Sequence, residues 1–217
     1  MSEKLILTGF TPFENTPHNP SGEIVPDLVN RLKQKGVNCS GLILETAYSA
    51  VENGIDQVIS SEKPSAIISF GVASAIRCLE LERFALNIDD ASIADNYGEI
   101  RSAVTIDPAG PHAHRCRAEV KKISETLEKM GIPVRISNHC GTFVCNHLYY
   151  WIMNRTYQKN LNLNALFIHI PQLASLEDSD GKRQLNLLSH KTKLPLDLSW
   201  ERLVESLAKA IQKHFSA

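Results

Sequence analysis

Short apolar runs alternate with amphipathic helical segments along most of this chain, and that alternation limits the folds open to it. Residues 4–8 predict a buried strand, and a helix follows whose apolar residues share one face. Strand and helix then alternate again through further apolar runs at 42–44, 66–70, 134–137 and 165–170. Repeated units of this kind favour a mainly parallel sheet with helices on both faces. We therefore predict an α/β fold, a three-layer α/β/α arrangement around a twisted, mainly parallel sheet.

The expected helix ends are marked by residues that cap helices. Ser21 is expected to cap the first helix and Gly36 to end it, and Ser49 with Glu52 has the spacing of a capping box. Ser199 is expected to cap the last helix, and the mostly polar residues 172–198 before it predict a loop. A long irregular stretch follows Gly71 and interrupts the alternation, with strands expected within 79–88.

Length and composition limit the organisation and the partners of the chain. Its 217 residues, 43% of them hydrophobic, predict a single domain spanning 1–217. A formal net charge of -1 without a long basic run argues against nucleic acid and membrane surfaces as partners. The sequence has no run of about eighteen apolar residues and no signal peptide, so we expect a cytoplasmic protein. Five cysteines at irregular spacing predict reduced thiols rather than disulfides.

Ligands of open α/β sheets bind at the carboxyl ends of the strands. If the predicted sheet is right, the segments 9–20, 71 onward, 138–145 and 169–172 should meet there. These segments bring together a thiol, an imidazole and nearby carboxylates, which are the groups that a cysteine hydrolase needs.

Cys145 lies where a strand, a glycine-containing bend and a helix meet, a setting that stabilises a thiolate. His169 at the end of the next strand is the candidate imidazole, although His139 is a real rival. His147 is only two residues from Cys145 on the expected helix and should point in another direction. The residues leave open which carboxylate orients the imidazole, because Glu80 and Glu82 share one face of a strand that solvent could also cover.

The chain resembles the pyroglutamyl peptidase I family of cysteine peptidases, also called pyrrolidone-carboxylate peptidases. The resemblance covers most of the chain, and its blocks occur in the order of the family. They read TGFTPF at 8–13 with NPS at 19–21, LERFALN at 81–87, GTFVCN at 141–146 and FIHIP at 167–171. The fold that this resemblance implies is phosphorylase/hydrolase-like, in line with the α/β prediction.

The resemblance also implies an activity, which is removal of an N-terminal pyroglutamyl (5-oxoprolyl) residue from peptides. It implies Cys145 as nucleophile, His169 as general base and then acid, and Glu82 as the group that orients the imidazole. It implies a substrate site without metal or cofactor and a homo-oligomer, either a dimer or a tetramer. The implied substrate-binding residues are Phe10, Phe13, Asn19, Phe143 and Val144.

The chain departs from the family pattern near this site. Where the family reads DARIPDN, residues 90–96 read DASIADN, so Ser92 replaces an arginine, and Cys140 stands where alanine is usual. These changes suggest an alternative, a divergent homologue with weak activity, another N-acyl or cyclic amide substrate, or a binding role.

Other functions have weaker support in the sequence. A nucleoside phosphorylase would share the fold class, yet the sequence has no glycine-rich phosphate loop. His112 with His114 and the segment 178–181 resemble parts of metal sites, but neither has the further ligands that zinc or calcium needs.

Overall fold

A computed structural model describes residues 3–14, 16–172, 176–177, 183–188 and 195–216. Within these residues the chain forms eleven strands and five helices. The strands are β1 (Leu5–Phe10), β2 (Cys39–Leu44), β3 (Ala66–Ala73), β4 (Leu79–Glu82), β5 (Phe84–Leu86), β6 (Ala113–Arg115), β7 (Val134–Ser137), β8 (Asn164–Pro171), β9 (Leu176–Glu177), β10 (Arg183–Leu188) and β11 (Pro195–Ser199). The helices are α1 (Pro20–Gln34), α2 (Tyr48–Glu62), α3 (Val120–Lys129), α4 (Val144–Gln158) and α5 (Trp200–Phe215).

A six-stranded sheet forms the centre of the fold, in the order β2-β1-β3-β8-β4-β7. Its central strands β1, β3 and β8 are buried along nearly their whole length, as near-continuous apolar runs should be in a sheet covered on both faces. Helices α1, α3 and α5 pack in one layer, and α2 packs with α4 in another. The three-layer α/β prediction is therefore confirmed.

Two strands run against the direction expected of a parallel sheet. β4 pairs antiparallel with β8, and β7 pairs parallel with β4, so β7 also runs opposite to β8. The sequence-based expectation that the strand at 134–137 delivers the following loop to the carboxyl edge was wrong in direction. The loop still reaches that edge, because Ser137 and Glu82 pair only two residues below His169 in the register of β8.

The helix ends differ from the expected caps at two places. Asn19 rather than Ser21 caps α1, since Asn19 Oδ1 accepts the Ser21 backbone amide at 3.1 Å. The predicted capping box at the start of α2 is absent, because Ala47 is the cap residue and Glu52 bonds His147 instead. Gly36 has φ +80° just after α1, and the Ser199 hydroxyl accepts the Arg202 amide at the start of α5, so both of those expectations are confirmed.

The prediction of a loop over 172–198 was wrong for the part of it that is described. β9, β10 and most of β11 lie in this segment and form a separate antiparallel sheet in the order β11-β10-β9. Polar and apolar residues alternate in the sequence over 184–187, a period-two pattern typical of strands, which the high polar content of the segment obscured. Among the described residues, no helix combines the length and apolar character needed to cross a bilayer.

Candidate active site

A cavity of about 240 Å³ opens at the edge of the main sheet where β1, β3 and β8 end. All four segments that were expected to meet at this edge contribute to it. Its lining residues are Phe10, Phe13, Asn19, Thr46, Val72, Ala73, Glu80, Glu82, His139, Cys140, Gly141, Thr142, Phe143, Cys145 and His169.

Cys145 is the second residue of α4, so the positive end of that helix faces the cavity beside the thiol. The first backbone hydrogen bond of the helix runs from the His147 amide to the Phe143 carbonyl, which leaves the Cys145 amide without an intrahelical partner. The neighbouring Asn146 is fully buried, and its side chain donates to the carbonyls of Leu86 and Ile88 at 2.9 Å each. These bonds fasten the first turn of α4 to the chain beside β5.

The close packing of β3 against the thiol requires a residue without a side chain at position 71. A Cβ atom on Gly71 would lie 2.9 Å from Cys145 Sγ and 2.7 Å from the Phe167 ring. Such distances are shorter than van der Waals contact, so any other residue at 71 would displace the thiol or the ring.

His169 lies between the thiol and a buried carboxylate. Its Nδ1 is 2.8 Å from Glu82 Oε1, and its ring also hydrogen-bonds Cys145. Burial alone would lower the pKa of His169, but the hydrogen bonds to Cys145 and Glu82 and the charges of both raise it to about 9. A protonated His169 can therefore donate to Glu82 and to Cys145 Sγ at once.

The structure distinguishes Glu80 from Glu82, the two carboxylates between which the sequence could not choose. Both side chains line the cavity from the same face of β4, and both are buried rather than covered by solvent. Glu80 forms an ion pair with Arg135, whereas Glu82 contacts His169. The Tyr149 hydroxyl donates to the Glu82 carbonyl at 3.2 Å and helps to fix the end of β4.

The rival histidines occupy different surroundings. His139 is exposed at the cavity, and its Nδ1 accepts the Gly141 amide at 3.2 Å. His147 is fully buried away from the cavity lining, between Asp89 and Glu52. Of the three histidines, His169 is the one for which the structure gives contacts to both a carboxylate and the Cys145 thiol.

Aromatic rings form one wall of the cavity. Phe10, Phe13 and Phe143 line it, and the rings of Phe13 and Phe143 lie 6.1 Å apart. Asn19 also lines the cavity, although its side chain is largely committed to capping α1 and to the Thr11 carbonyl at 2.9 Å. Val144, the other expected binding residue, points into the core and is not among the lining residues.

The position of the missing family arginine lies outside the cavity lining. Ser92 is exposed in the loop after Asp90, whose amide donates to the Thr142 carbonyl at the cavity rim. Arg77 binds the nearby carbonyls of its own loop, and Arg83 donates to Asn138. Among the described residues, no arginine lines the cavity.

Sequence reasoning missed the lining residue Thr46 and noted Cys140 only as a departure from the family pattern. Thr46 enters the site because its hydroxyl donates to the Thr11 carbonyl and so closes the loop that carries Phe13. Burial, followed by the nearby charges of Glu82 and Cys145, raises the pKa of Cys140 well above its ordinary value, so this lining thiol stays protonated. No spacing or periodicity in the sequence marks either position.

Comparisons with known proteins identify the family of this chain. A sequence model of the family "Pyroglutamyl peptidase" matches residues 3–213. The chain belongs to the pyroglutamyl peptidase family. Pyrrolidone-carboxylate peptidase 1 of Caldanaerobacter subterraneus subsp. tengcongensis is 40% identical over 171 residues, which cover 78% of this chain and 83% of that protein. The pyrrolidone-carboxylate peptidase of Aliivibrio fischeri is 33% identical over 210 residues, covering 97% and 92% of the two chains.

Solved structures of this family share the fold. A variant of pyrrolidone carboxyl peptidase from Pyrococcus furiosus superposes with a TM-score of 0.81 at 28% identity and covers 96% of both chains. Bacillus amyloliquefaciens pyroglutamyl peptidase I gives a TM-score of 0.81 at 29% identity and covers 96% of this chain and 94% of its own.

Two sequence patterns resembled parts of metal sites, and the first of them contains His114. His114 Nε2 lies 3.2 Å from Asn154 Oδ1, and its ring packs against Tyr150. Within the described residues, no cluster of three potential metal ligands occurs. The second pattern, residues 178–181, lies outside the described residues.

Proposed function

We propose that this chain removes an N-terminal pyroglutamyl residue from peptides by acyl transfer to Cys145. One observation carries the proposal. His169 joins the Cys145 thiol to the buried Glu82 carboxylate at the wall of a cavity that aromatic rings line. A thiol, an imidazole and an orienting carboxylate are the three groups that thiol-dependent acyl transfer uses, and the family membership of the chain supports the substrate.

The reaction begins as His169 takes the proton from Cys145 Sγ, a transfer that the raised pKa of His169 favours. The sulfur attacks the carbonyl carbon of the pyroglutamyl residue and forms a tetrahedral intermediate. Its collapse breaks the C–N bond, while His169 gives its proton to the leaving amine. The products of this half-reaction are the shortened peptide and a thioester on Cys145.

Water completes the cycle. Neutral His169 takes a proton from a water molecule, whose oxygen attacks the thioester carbonyl. Breaking the C–S bond releases pyroglutamate and restores the negative charge on Cys145 Sγ. Throughout, Glu82 accepts the hydrogen bond from His169 Nδ1 and so holds the ring in one orientation.

The free amide of Cys145 is placed to stabilise the oxyanion that forms in both steps. It belongs to the first turn of α4, so the helix dipole adds to the hydrogen bond. Loss of one such donor costs about a hundredfold or more in other hydrolases. We assign this contact to the backbone, and side-chain substitutions at Cys145 therefore leave it in place.

The aromatic wall suits a small, flat and uncharged ring such as a five-membered lactam. Phe10, Phe13 and Phe143 supply apolar surface for the ring, and the Asn19 amide group retains one N–H that the contacts to Ser21 and Thr11 do not use. A charged N-terminal amine would have to lose its water against these rings, which is costly without a counter-charge. This contrast separates a pyroglutamyl substrate from a prolyl one.

The decisive experiment measures release of a fluorescent amine from a pyroglutamyl amide by purified wild type, Cys145→Ser and the control Cys39→Ala. Cys39 is buried in β2, away from the cavity lining. We expect turnover by wild type and Cys39→Ala, and a loss of about 10⁴-fold in kcat for Cys145→Ser. The matching prolyl amide should not be cleaved. Equal cleavage of both amides, or activity that survives Cys145→Ser, would refute the proposal.

The second candidate is the divergent homologue with weak or altered activity. It is favoured by one observation, the absence of an arginine from the described cavity lining, since the family resemblance places an arginine at position 92 near the site. A folded wild type that binds the lactam ring without turnover would select this candidate over the first.

We further propose a homo-oligomer that acts in the cytoplasm. The large exposed side chains of Tyr97, Ile100 and Val104 lie in one segment, which supports a contact between copies. Light scattering on the wild type and on Ile100→Lys tests this proposal, since a charge in a buried contact should lower the mass. Cell fractionation with an activity assay tests the compartment.

A further inference from the structure

A chain of buried and partly buried charged side chains lies behind the aromatic wall of the cavity. Asp89 is fully buried, and its Oδ2 accepts hydrogen bonds from Arg101 Nη1 at 2.8 Å and from His147 Nδ1 at 2.8 Å. The other ring nitrogen of His147 lies 2.9 Å from Glu52 Oε1. Since carboxylate oxygens face both ring nitrogens, His147 satisfies both contacts only as an imidazolium, which donates from each nitrogen.

The ring of Tyr48 connects these charges to the cavity. The Arg101 guanidinium stacks over the Tyr48 ring with its Cζ 4.1 Å from the ring centroid. The same ring meets Phe143 edge-on at 5.8 Å and His147 at 5.3 Å. Phe143 lines the cavity and precedes the helix that carries Cys145, so two rings, Tyr48 and Phe143, lie between the Arg101 guanidinium and the cavity.

Arg101 is held in this position from two sides. Its Nε donates to Glu99 at 2.7 Å while Nη1 donates to Asp89, so the planar guanidinium is fixed by two carboxylates. Its side chain is 18% exposed, so solvent weakens these contacts less than it would on an open surface. A fixed guanidinium over one face of Tyr48 restricts the tilt of that ring and, through it, the position of Phe143.

We propose that Arg101 is a positioning residue for substrate recognition, which sets the Phe143 wall of the cavity through the ring of Tyr48. Arg101 does not touch the substrate or the reacting atoms. Its contribution is to keep the wall in the one position that fits the lactam ring. The inference rests on the proposed function for the identity of the substrate.

The chain contains a matched control for this proposal. Arg155 stacks over the Trp151 ring at 4.1 Å and pairs with Asp56, so it repeats the stacking distance and the carboxylate partner of Arg101. Its side chain is 25% exposed, and neither it nor Trp151 lines the cavity. Trp151 reaches Tyr48 only through the ring of His147, so Arg155 shows what loss of an arginine–aromatic stack does to the protein when that stack lies one ring further from the cavity wall.

The test compares Arg101→Met, Arg101→Lys and Arg155→Met by steady-state kinetics on the pyroglutamyl amide. We expect Arg101→Met to raise KM about tenfold with kcat within about threefold of wild type, because the wall shifts while the reacting groups stay in place. Arg101→Lys, which keeps a cation over Tyr48, should give an intermediate KM. Arg155→Met should leave KM within about twofold while lowering the melting temperature. Equal KM effects of the two methionine variants, or a wild-type KM in Arg101→Met, would overturn the proposal.

A crystal structure of Arg101→Met separates failure of this inference from failure of the proposed function. The Phe143 ring should move by about 1 Å or more, or adopt two positions, a displacement large enough to loosen the fit of the substrate ring. A ring that stays in place rejects the inference even if the enzyme has another substrate. Should Arg101→Met fail to fold, Arg101→Gln carries both measurements, since its side chain is also uncharged.

Discussion

His169 and His147 are both buried histidines that face a carboxylate, yet their surroundings differ. Each has its Nδ1 2.8 Å from a carboxylate oxygen, on Glu82 for His169 and on Asp89 for His147. The second nitrogen of His147 meets another carboxylate, while the ring of His169 meets the Cys145 thiol beside the cavity. A histidine–carboxylate pair is thus not in itself a catalytic signature. What the other nitrogen faces decides whether the proton is fixed or can be transferred.

The largest expected effect is a loss of kcat when His169 is replaced, which replacement of His147 should not cause. His169→Gln should lower kcat about 10³- to 10⁴-fold, because neither the leaving amine nor the water would have a proton partner. His147→Gln should act mainly on stability, because it leaves the fully buried Asp89 carboxylate without its imidazolium partner, at a cost of about 3 to 5 kcal/mol. Steady-state kinetics and urea unfolding on both variants measure these effects. A kcat loss in His147→Gln as large as that in His169→Gln would break the comparison.

A second, smaller effect separates the two carboxylates. Glu82→Gln should lower kcat about 10²- to 10³-fold, because an amide does not stabilise the imidazolium that forms on His169. It should also move the alkaline limb of kcat/KM, expected near pH 9 in the wild type, to lower pH, because the carboxylate helps to raise the pKa of His169.

Glu52→Gln is the matched variant for this second prediction. Its carboxylate contacts His147, which transfers no proton in the proposed mechanism. The alkaline limb should therefore stay where it is in the wild type. An equal shift of the limb in both variants would show that it does not report on His169.

The third effect concerns stability as a function of pH. Burial lowers the pKa of His147, but the hydrogen bonds and charges of Asp89 and Glu52 outweigh burial and raise the pKa above its ordinary value of 6.5. A raised pKa in the folded state contributes stability that is fully present below about pH 6.5 and is lost as the pH rises through the folded value. The stability advantage of wild type over His147→Gln should therefore decrease as the pH is raised from 6 upward. Urea unfolding at several pH values measures this difference in unfolding free energy. A difference that grows with pH would contradict the assignment of His147 as an imidazolium.

The smallest expected effect lies at the position of the missing arginine. Ser92→Arg would place a long cation in the loop that Asp90 fastens to Thr142 at the cavity rim. We expect KM for the pyroglutamyl amide to fall by about two- to tenfold, the range of one added charged hydrogen bond in solvent-exposed surroundings. Ser92→Lys serves as the control for charge alone. If both variants keep the wild-type KM, the residue at position 92 does not limit substrate binding.

The sequence located the strands better than it oriented them. The strand at Val134–Ser137 was placed at its observed bounds, since the alternating β-branched residues Val134 and Ile136 are visible locally. Its predicted direction was wrong. The strand pairs parallel with β4, and β4 in turn pairs antiparallel with β8, which lies far from it in the chain. Apolar patterning identifies a strand and the faces it buries but carries no information about its neighbour.

The same limit explains the errors at the site. Glu52 has the spacing of a capping residue, but His147 on α4 engages its carboxylate, a tertiary contact that local spacing does not show. The pattern around 80–82 identified both carboxylates, and only the fold distinguishes the one that faces His169 from the one that faces Arg135. Arg101 was not singled out, because its stack on Tyr48 joins two distant segments.

The distribution of the thiols has a practical consequence. Four of the five cysteines are buried, and Cys145 alone is partly open to solvent, all five lying within the described residues. A small electrophile should therefore add a single mass increment to each intact chain, and a preparation that takes up less than one equivalent contains blocked or misfolded molecules. If Cys145 is the nucleophile, as we propose, this single reaction counts the active molecules, so turnover numbers can be expressed per active molecule.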